Sequence, residues 1–292
     1  MTTQALNFLW LNLDIPAPAD PEEGGIRVPM PAEYLKNVAE AAKDNPGASI
    51  RLWVDSERLT ARQMKYIKAL IEPRNENAEV KDLRGVPEYA SEEFYSRPEK
   101  NRCWRDNYFS TIWGQVDSAK ILVSLQGDFD QSFFADMDLA HVKINGKAAQ
   151  KKLSKAGFFV GSASGAFYGV ENQLWGFTRE KRGFFEAYYK DALEDSIKGD
   201  NGYEALHSRV HDFIKRKNLP LSEVCLLING KGMEHATQPG HEWSGERGGQ
   251  YAPKTISAQR LKKVFNIAAR KAGGKAGSKA QAQPARKAAA LP

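Results

Sequence analysis

The sequence predicts an α/β fold in which a mainly parallel central sheet is flanked by helices. Three observations lead to this class. Residues 5–83 alternate between short apolar runs and amphipathic helical patterns, the order expected of parallel strands joined by crossover helices. A later apolar run ends in two aspartates, and polar loops follow several predicted strands. The 292 residues, 41% of them hydrophobic and 27% charged, are enough for a substantial core.

The first strand is predicted in the apolar run 5–13, and a helix follows it after a long loop. The loop, residues 14–31, contains five prolines, which exclude both a helix and a central strand there. After Pro31 the apolar residues recur at helical spacing, and Asn45 and Pro46 end this pattern.

The next elements continue the alternation. Residues 49–55 predict a strand, Thr60 is a typical N-cap for the helix that follows it, and residues 78–83 predict a third strand. Residues 84–101 are polar and irregular. The aromatic-rich segment 102–125 then predicts a long buried helix.

Residues 132–139 (SFFADMDL) predict a strand that ends in Asp136 and Asp138. Alternation along a strand would point both carboxylates the same way, at the edge of the sheet where ligands bind. Two like charges at close range favour a divalent cation, and carboxylate oxygens suit Mg²⁺ or Mn²⁺. D-x-D alone is common in surface loops, so its position after an apolar run is what favours a functional site.

The second half of the chain predicts further strands and helices. The strands are expected in 157–170, 171–177 and 221–230, and the helices in 180–197 and 203–217. His207 and His211 have metal-ligand spacing, but without a third ligand solvated or capping roles are favoured. The loop 231–251 contains His241 and Trp243 and is interpreted as a lid over bound phosphate, with a solvated loop as the alternative.

The excess positive charge is confined to the end of the chain. Of 42 basic residues, six lie in 270–292, where there is no acidic residue, so residues 1–269 contain 36 basic and 36 acidic side chains. We expect a main domain over 1–254, a basic amphipathic helix over 255–271 and a disordered basic tail over 272–292. Such a tail can contact an anionic surface or nucleic acid, or it can be a solvated extension.

Composition also excludes several protein classes. No segment approaches the ~20 apolar residues that span a bilayer, and the N-terminus resembles no secretory signal. Cys103 and Cys225 are the only cysteines, so a disulfide framework and a thiolate zinc site are excluded. We therefore expect a cytoplasmic protein, with export to a host cell without a conventional signal peptide as an alternative.

Four stretches, in order, resemble the nucleotide-sugar glycosyltransferases of the GT-A fold that contain a DXD motif, such as the clostridial glucosylating toxins, the fungal initiating mannosyltransferases and the capsule-type transferases. NFLWLN is similar to their I-H-x-x-W strand, with Asn7 in place of His, and SIRLWVDSE is similar to their L-W-x-D strand. VDSAKILVSLQ is similar to the S-D-x-x-R helix, and FFADMDL to Y-L-D-x-D.

A fifth and weaker match is HEWSG at 241–245, similar to a C-terminal H-x-W-x-G element. The chain departs from the pattern in two further places. Lys120 stands where the family has Arg, and a lysine lacks the bidentate fork of arginine. The Gly-Gly pair that precedes the motif strand is replaced by GDFDQ.

The resemblance implies a metal site and a donor site. Asp138 would ligate Mn²⁺ or Mg²⁺ directly, Asp136 would share the ion or accept a ribose hydroxyl, and His241 would serve as a further ligand. For donor binding, the resemblance implies that Trp10 would contact the base, although a core indole is the alternative for this residue. Asp55 would bind the base or ribose. Asp117 and Lys120 would bind the sugar and diphosphate, and Trp243 would close the site.

The implied activity is transfer of a hexosyl unit from a nucleoside-diphosphate sugar, with UDP favoured over GDP, to a glycan or protein acceptor. The resemblance implies retention of configuration, and we expect front-face transfer because no carboxylate stands out as a nucleophile. The alternative is a non-catalytic nucleic-acid-binding or assembly protein that acts through its basic tail. A phosphatase-like fold is a third possibility, but it would have the aspartates after the first strand.

Overall fold

The structure is a computed structural model, and it describes residues 3–11, 20–21, 24–28, 30–90, 109–162, 169–198, 203–227, 234–235 and 255–280. Its centre is a seven-stranded sheet. In chain order the strands of this sheet are β1 (Gln4–Trp10), β3 (Ser49–Val54), β4 (Ala78–Asp82), β5 (Gln131–Ala135), β7 (Phe158–Ser162), β8 (Glu171–Thr178) and β9 (Cys225–Leu227). Within the described residues, no helix is long and apolar enough to cross a membrane.

The strand order is β4-β3-β1-β5-β8-β7-β9. β4, β3, β1 and β5 run parallel to one another, as do β7 and β9, whereas β8 is antiparallel to both of its neighbours. The predicted α/β class with a mainly parallel sheet is therefore confirmed. The reversal at β8 was not predicted, because a buried strand has the same apolar pattern in either direction.

Two further pairs of short strands flank the sheet. β6 (Leu139–Ala140) pairs with β10 (Glu234–His235), and β2 (Ile26–Arg27) pairs with β11 (Thr255–Ile256), both antiparallel. β6 follows the two aspartates directly. The start of the predicted lid is therefore tied to the segment that contains Asp136 and Asp138.

Helices cover both faces of the sheet. They are α1 (Ala32–Asp44), α2 (Ala61–Ile71), α3 (Pro87–Ala90), α4 (Phe109–Ser124), α5 (Lys147–Ala156), α6 (Arg182–Lys198), α7 (Tyr203–Lys217) and α8 (Ala258–Ala280). Side chains alternate across the strands, so that Phe133 joins the core under α1 and α2, while Phe134 joins the core under α4 and α6. This three-layer packing fixes the strand ends relative to one another.

Several predicted boundaries are wrong. The strand predicted over 132–139 ends at Ala135, and the strand predicted over 221–230 begins only at Cys225, after a 3₁₀ turn over Leu221–Glu223. In the strand predicted over 157–170, the described strand residues are Phe158–Ser162. The described part of the helix predicted over 102–125 begins at Phe109. The described part of the last helix is Ala258–Ala280, and the disordered basic tail stays a prediction. Residues 281–292 lie outside the described residues.

Candidate active site

The order of the strands reverses between β1 and β5. From β1 the chain moves to β3 and β4 on one side, and it then returns to place β5 on the other side. In open α/β sheets, ligands bind beyond the carboxyl ends of the strands at such a switch point. The residues that lie there are Trp10, at the end of β1, and Asp136 to Asp138, directly after β5.

The two aspartates lie in a turn rather than in an extended strand, which corrects the prediction from alternation. The backbone N–H of Leu139 donates to the carbonyl of Asp136 at 3.1 Å. The Nδ2 of Asn37, on α1, donates to the carbonyl of Met137 at 2.9 Å, and the N–H of Asp136 donates to the carbonyl of Gln173 at 2.8 Å. The turn is therefore held by α1 on one side and by β8 on the other.

Lys120 and Asp136 form an ion pair at this edge. The Nζ of Lys120, on α4, lies 2.8 Å from Oδ1 and 3.0 Å from Oδ2 of Asp136. The lysine side chain is 8% exposed and the aspartate side chain 18%. Burial by itself lowers the pKa of Lys120, but the nearby carboxylates of Asp136, Asp117 and Asp138 raise it above its ordinary value of 10.5. Lys120 is therefore charged at neutral pH.

Asp117 lies one turn before Lys120 on the same helix, and it is buried. Its Oδ1 accepts a hydrogen bond of 2.9 Å from Nδ2 of Asn172, near the start of β8. The predicted pairing of Asp117 and Lys120 on one helical face thus agrees with the structure. Four of the predicted site residues, Asp117, Lys120, Asp136 and Asp138, come together after β5.

This cluster has more negative than positive charge. Three carboxylates surround one ammonium group, which gives a formal charge of −2 among largely buried side chains. Oxygen donors with this charge suit a hard divalent cation such as Mg²⁺ or Mn²⁺. Among the described residues, no group of three or more His, Cys, Asp or Glu side chains is arranged to hold a metal ion. Mg²⁺ commonly uses one or two carboxylates and completes its shell with substrate phosphates and water, so the residues fit such an ion.

Trp10 and Gln173 place polar atoms at the same edge. Trp10 is half-buried and packs edge-to-face on Tyr34, with ring centroids 5.9 Å apart. Among the described residues, neither Nε1 of Trp10 nor Oε1 of Gln173 has a hydrogen-bond partner, although both atoms are buried. Buried polar atoms are normally paired, so these two are candidates for contact with a ligand.

Asp55 lies at the end of β3, as expected, but it has a set of protein partners. Its carboxylate accepts hydrogen bonds from Nε of Arg84 at 2.8 Å, from the hydroxyl of Tyr89 at 2.7 Å and from the N–H of Glu57 at 3.0 Å. These groups outweigh burial and lower the pKa of Asp55. The structure thus gives Asp55 a role in holding the segment after β4, and its role towards a base or ribose stays a prediction.

His241, Trp243 and Cys103 lie outside the described residues. The roles of His241 and Trp243 at the site therefore stay predictions. His207 and His211 lie on α7 with ring centroids 4.3 Å apart. Burial raises the pKa of the Cys225 thiol to about 11, so this cysteine is no activated nucleophile.

Sequence reasoning missed three residues that shape the site, namely Asn37, Asn172 and Gln173. Asn37 is a buried polar residue next to Val38 on the apolar side of α1, and this interruption of the apolar pattern was a detectable signal. Asn172 and Gln173 precede the apolar run of β8. Their contacts with Asp117 and Asp136 depend on the antiparallel placement of β8, which the sequence pattern does not reveal.

No protein-family model matches the chain, and no curated protein matches it. Among solved structures, one described as a transferase is 14% identical, with a TM-score of 0.49 over 78% of this chain and 91% of that chain. The PaToxG glycosyltransferase is 12% identical, with a TM-score of 0.41 over 76% of this chain and 79% of that one.

A third similar structure is the galactosyltransferase LgtC in complex with donor and acceptor sugar analogues. It is 13% identical, with a TM-score of 0.36 over 90% of this chain and 95% of that one. The last two proteins are glycosyltransferases by name. At these identities and TM-scores the likeness by itself assigns no activity to the chain.

Proposed function

We propose that the chain is a metal-dependent glycosyltransferase of the GT-A type. It would transfer a hexosyl unit from a nucleoside-diphosphate sugar, with UDP favoured over GDP, to a glycan or protein acceptor. The observation that carries this proposal is the meeting of Asp117, Lys120, Asp136 and Asp138 beyond β5, at the switch point of the sheet.

The charges of the cluster support a nucleoside diphosphate and a divalent cation as joint ligands. Asp138 and Asp136 would hold Mn²⁺ or Mg²⁺, with His241 as a further ligand. When bound, the ion would neutralise charge that develops on the departing diphosphate. Lys120 would add a fixed positive charge on the same side, and its raised pKa keeps it protonated over the whole physiological range.

The remaining residues would orient the donor. Asp117, held by Asn172, would accept hydrogen bonds from sugar hydroxyls. Trp10 would contact the base, and its Nε1, which has no partner among the described residues, would donate to the ligand. Trp243 would close the site from the loop after β10. We include front-face transfer with retention in the proposal. The carboxylates around Lys120 would already bind the metal ion or the sugar, so none of them is left to act as a nucleophile.

The test is release of UDP from UDP-sugars by the purified chain, measured with Mn²⁺ and with EDTA. Asp138→Asn should reduce the rate at least a hundredfold, because it removes a carboxylate ligand of the ion. Asp128→Asn is the matched control, since Asp128 is 86% exposed and pairs only weakly with Arg179 at the surface. Turnover that persists in EDTA, or equal losses in both variants, would contradict the proposal.

A further inference from the structure

The exposed sides of α2 and α8 form one continuous basic surface. α8 packs against α2 and buries Leu261, while Val264 and Phe265 are half-buried between them and the core. The Nζ of Lys65, on α2, lies 4.7 Å from the centre of the Phe265 ring. Arg62 lies beside the start of α8. Both Nη1 of Arg62 and Cβ of Ala258 lie close to Gly24, at 3.8 Å and 3.7 Å from the position that a Cβ atom on this glycine would occupy.

We define the basic face as six exposed cations on these two helices. Three come from each helix, and they are Arg62, Lys65 and Lys68 on α2 and Lys262, Lys263 and Arg270 on α8. The sequence places the excess positive charge in residues 270–292 and predicts a basic helix over 255–271. The structure adds the three cations of α2, which lie about two hundred positions earlier in the sequence.

Acidic residues do not balance this face. α2 contains none, and there is none after Glu246 in the sequence. Within the described part of the chain, no ion pair involves any of the six cations, whereas Lys155 pairs with Glu223 and Arg179 with Asp128 and Asp130. Glu72, directly after α2, lies in a turn that contacts α8, and its Oε1 accepts a hydrogen bond of 3.1 Å from the N–H of Val80. The six cations outnumber it, so the face has a net positive charge, which attracts an anionic partner.

One large apolar side chain is exposed next to these charges. Ile267 is 47% exposed, and among the described residues no other large hydrophobic side chain is exposed. It lies four residues after Lys263 and three before Arg270, so all three occupy one side of α8. The aromatic residue on this helix, Phe265, is half-buried beneath Lys65, so the described face has no exposed ring on which a nucleic-acid base could stack.

We propose that the basic face binds the surface of an anionic lipid bilayer, with Ile267 entering the headgroup region. An amphipathic helix with cations beside an exposed apolar residue is suited to such a surface. Four of the six cations are lysines, whose compact charges favour diffuse attraction to headgroups over the bidentate phosphate contacts that arginine makes. The proposal does not depend on the glycosyltransferase activity.

The test is co-sedimentation of the full chain with vesicles of phosphatidylcholine alone and with phosphatidylserine added. We expect binding only to the anionic vesicles, and we expect high salt to release it. Replacement of Lys262, Lys263 and Arg270 by Gln should lower the partition coefficient about a hundredfold, on the order of fivefold for each cation. The triple Gln variant at Arg62, Lys65 and Lys68 should act similarly, and Ile267→Ser should cause a smaller loss.

The matched control removes three exposed charges elsewhere. Lys143→Gln, Lys147→Gln and Lys151→Gln, at and before α5, should leave vesicle binding within twofold of the unchanged chain. All the substituted residues are exposed, so melting temperatures should stay the same and will show that each variant is folded. Absence of binding to anionic vesicles, or equal losses in the control and the face variants, would overturn the proposal. Binding to poly(U) RNA without binding to vesicles would overturn it too and identify a nucleic-acid site instead.

Discussion

Lys120 is the residue on which the electrostatics of the candidate site depend. It is buried, it contacts both oxygens of Asp136, and the carboxylates of Asp117 and Asp138 also act on it. The pKa of Lys120 is raised, so its contribution to stability is fully present below its ordinary pKa of 10.5. This contribution is lost only as the pH rises through the folded pKa. At neutral pH the ammonium group holds the three carboxylates together.

We therefore predict that Lys120→Met destabilises the protein by about 3 kcal/mol, because it leaves buried carboxylates without their counter-ion. Mn²⁺ or Mg²⁺ should restore part of this loss, since a divalent cation would supply the missing charge. Chemical denaturation with and without the metal ion measures both effects. Lys143→Met, at an exposed position, is the control. A variant that is destabilised but gains nothing from the metal ion would contradict a cation site among these carboxylates.

Asp55 shows how a carboxylate at a strand end can serve the fold. Its pKa is lowered because Arg84 and Tyr89 donate to it. Stability from such a group is present above its ordinary pKa of 3.8 and is lost as the pH falls through the lower folded pKa. Asp55→Asn should cost about 2–3 kcal/mol at pH 7, and the difference from the unchanged chain should shrink below about pH 4. Urea unfolding at pH 7 and pH 3 tests this, and a constant difference would contradict it.

Among the elements, the turn between β5 and β6 determines the direction of the two aspartates. The hydrogen bond from the N–H of Leu139 to the carbonyl of Asp136 closes the turn, and the side chain of Asn37 donates to the carbonyl of Met137. The backbone that bears both carboxylates is thereby held in place, and Lys120 holds the carboxylate of Asp136. Such positioning by packed secondary structure is more rigid than that of a free loop.

Asn37→Ala should lower the unfolding free energy by about 1–2 kcal/mol, because the carbonyl of Met137 loses its buried donor. It should also weaken Mn²⁺-dependent binding of UDP, since the turn relaxes. Asn75→Ala removes a comparable buried bond, from Nδ2 to the carbonyl of Ile71, and should affect stability alone. Thermal unfolding and UDP titration of both variants separate the two effects. Equal UDP affinity in the two variants would show that the turn needs no support from α1.

The helices α1 and α2 were predictable because their apolar residues recur about every 3.6 positions, and the strand β1 was predictable because a strand buried on both faces is a short continuous apolar run. The end of β5 was not predictable, because Met137 continues the apolar pattern, and the turn is seen only from the hydrogen bonds that Leu139 and Asn37 donate to it. The pairing of Asp117 with Lys120 followed from helical spacing. The contact of Lys120 with Asp136, across sixteen positions of the chain, depends on how α4 packs against β5.

At the scale of the whole molecule, two hydrophobic cores hold the sheet between layers of helices. The core on the α4 side is rich in aromatic residues; Phe134 stacks on Trp175 at 4.6 Å, and Phe177 stacks on Phe185 at 4.2 Å. This packing fixes α4 and β8 against β5. The groups that α4 and β8 contribute, Lys120 and Asn172 among them, therefore meet at the switch point beside Trp10.

The central claim is that a divalent cation and a nucleoside diphosphate bind together at the carboxyl ends of β1 and β5. Isothermal titration of UDP into the full chain, with Mn²⁺ and then with EDTA, tests it most directly. We predict UDP binding that requires Mn²⁺, is abolished by Asp138→Asn and is unchanged by Asp128→Asn. UDP binding of equal affinity in EDTA, or no binding of UDP or GDP with Mn²⁺ present, would contradict it.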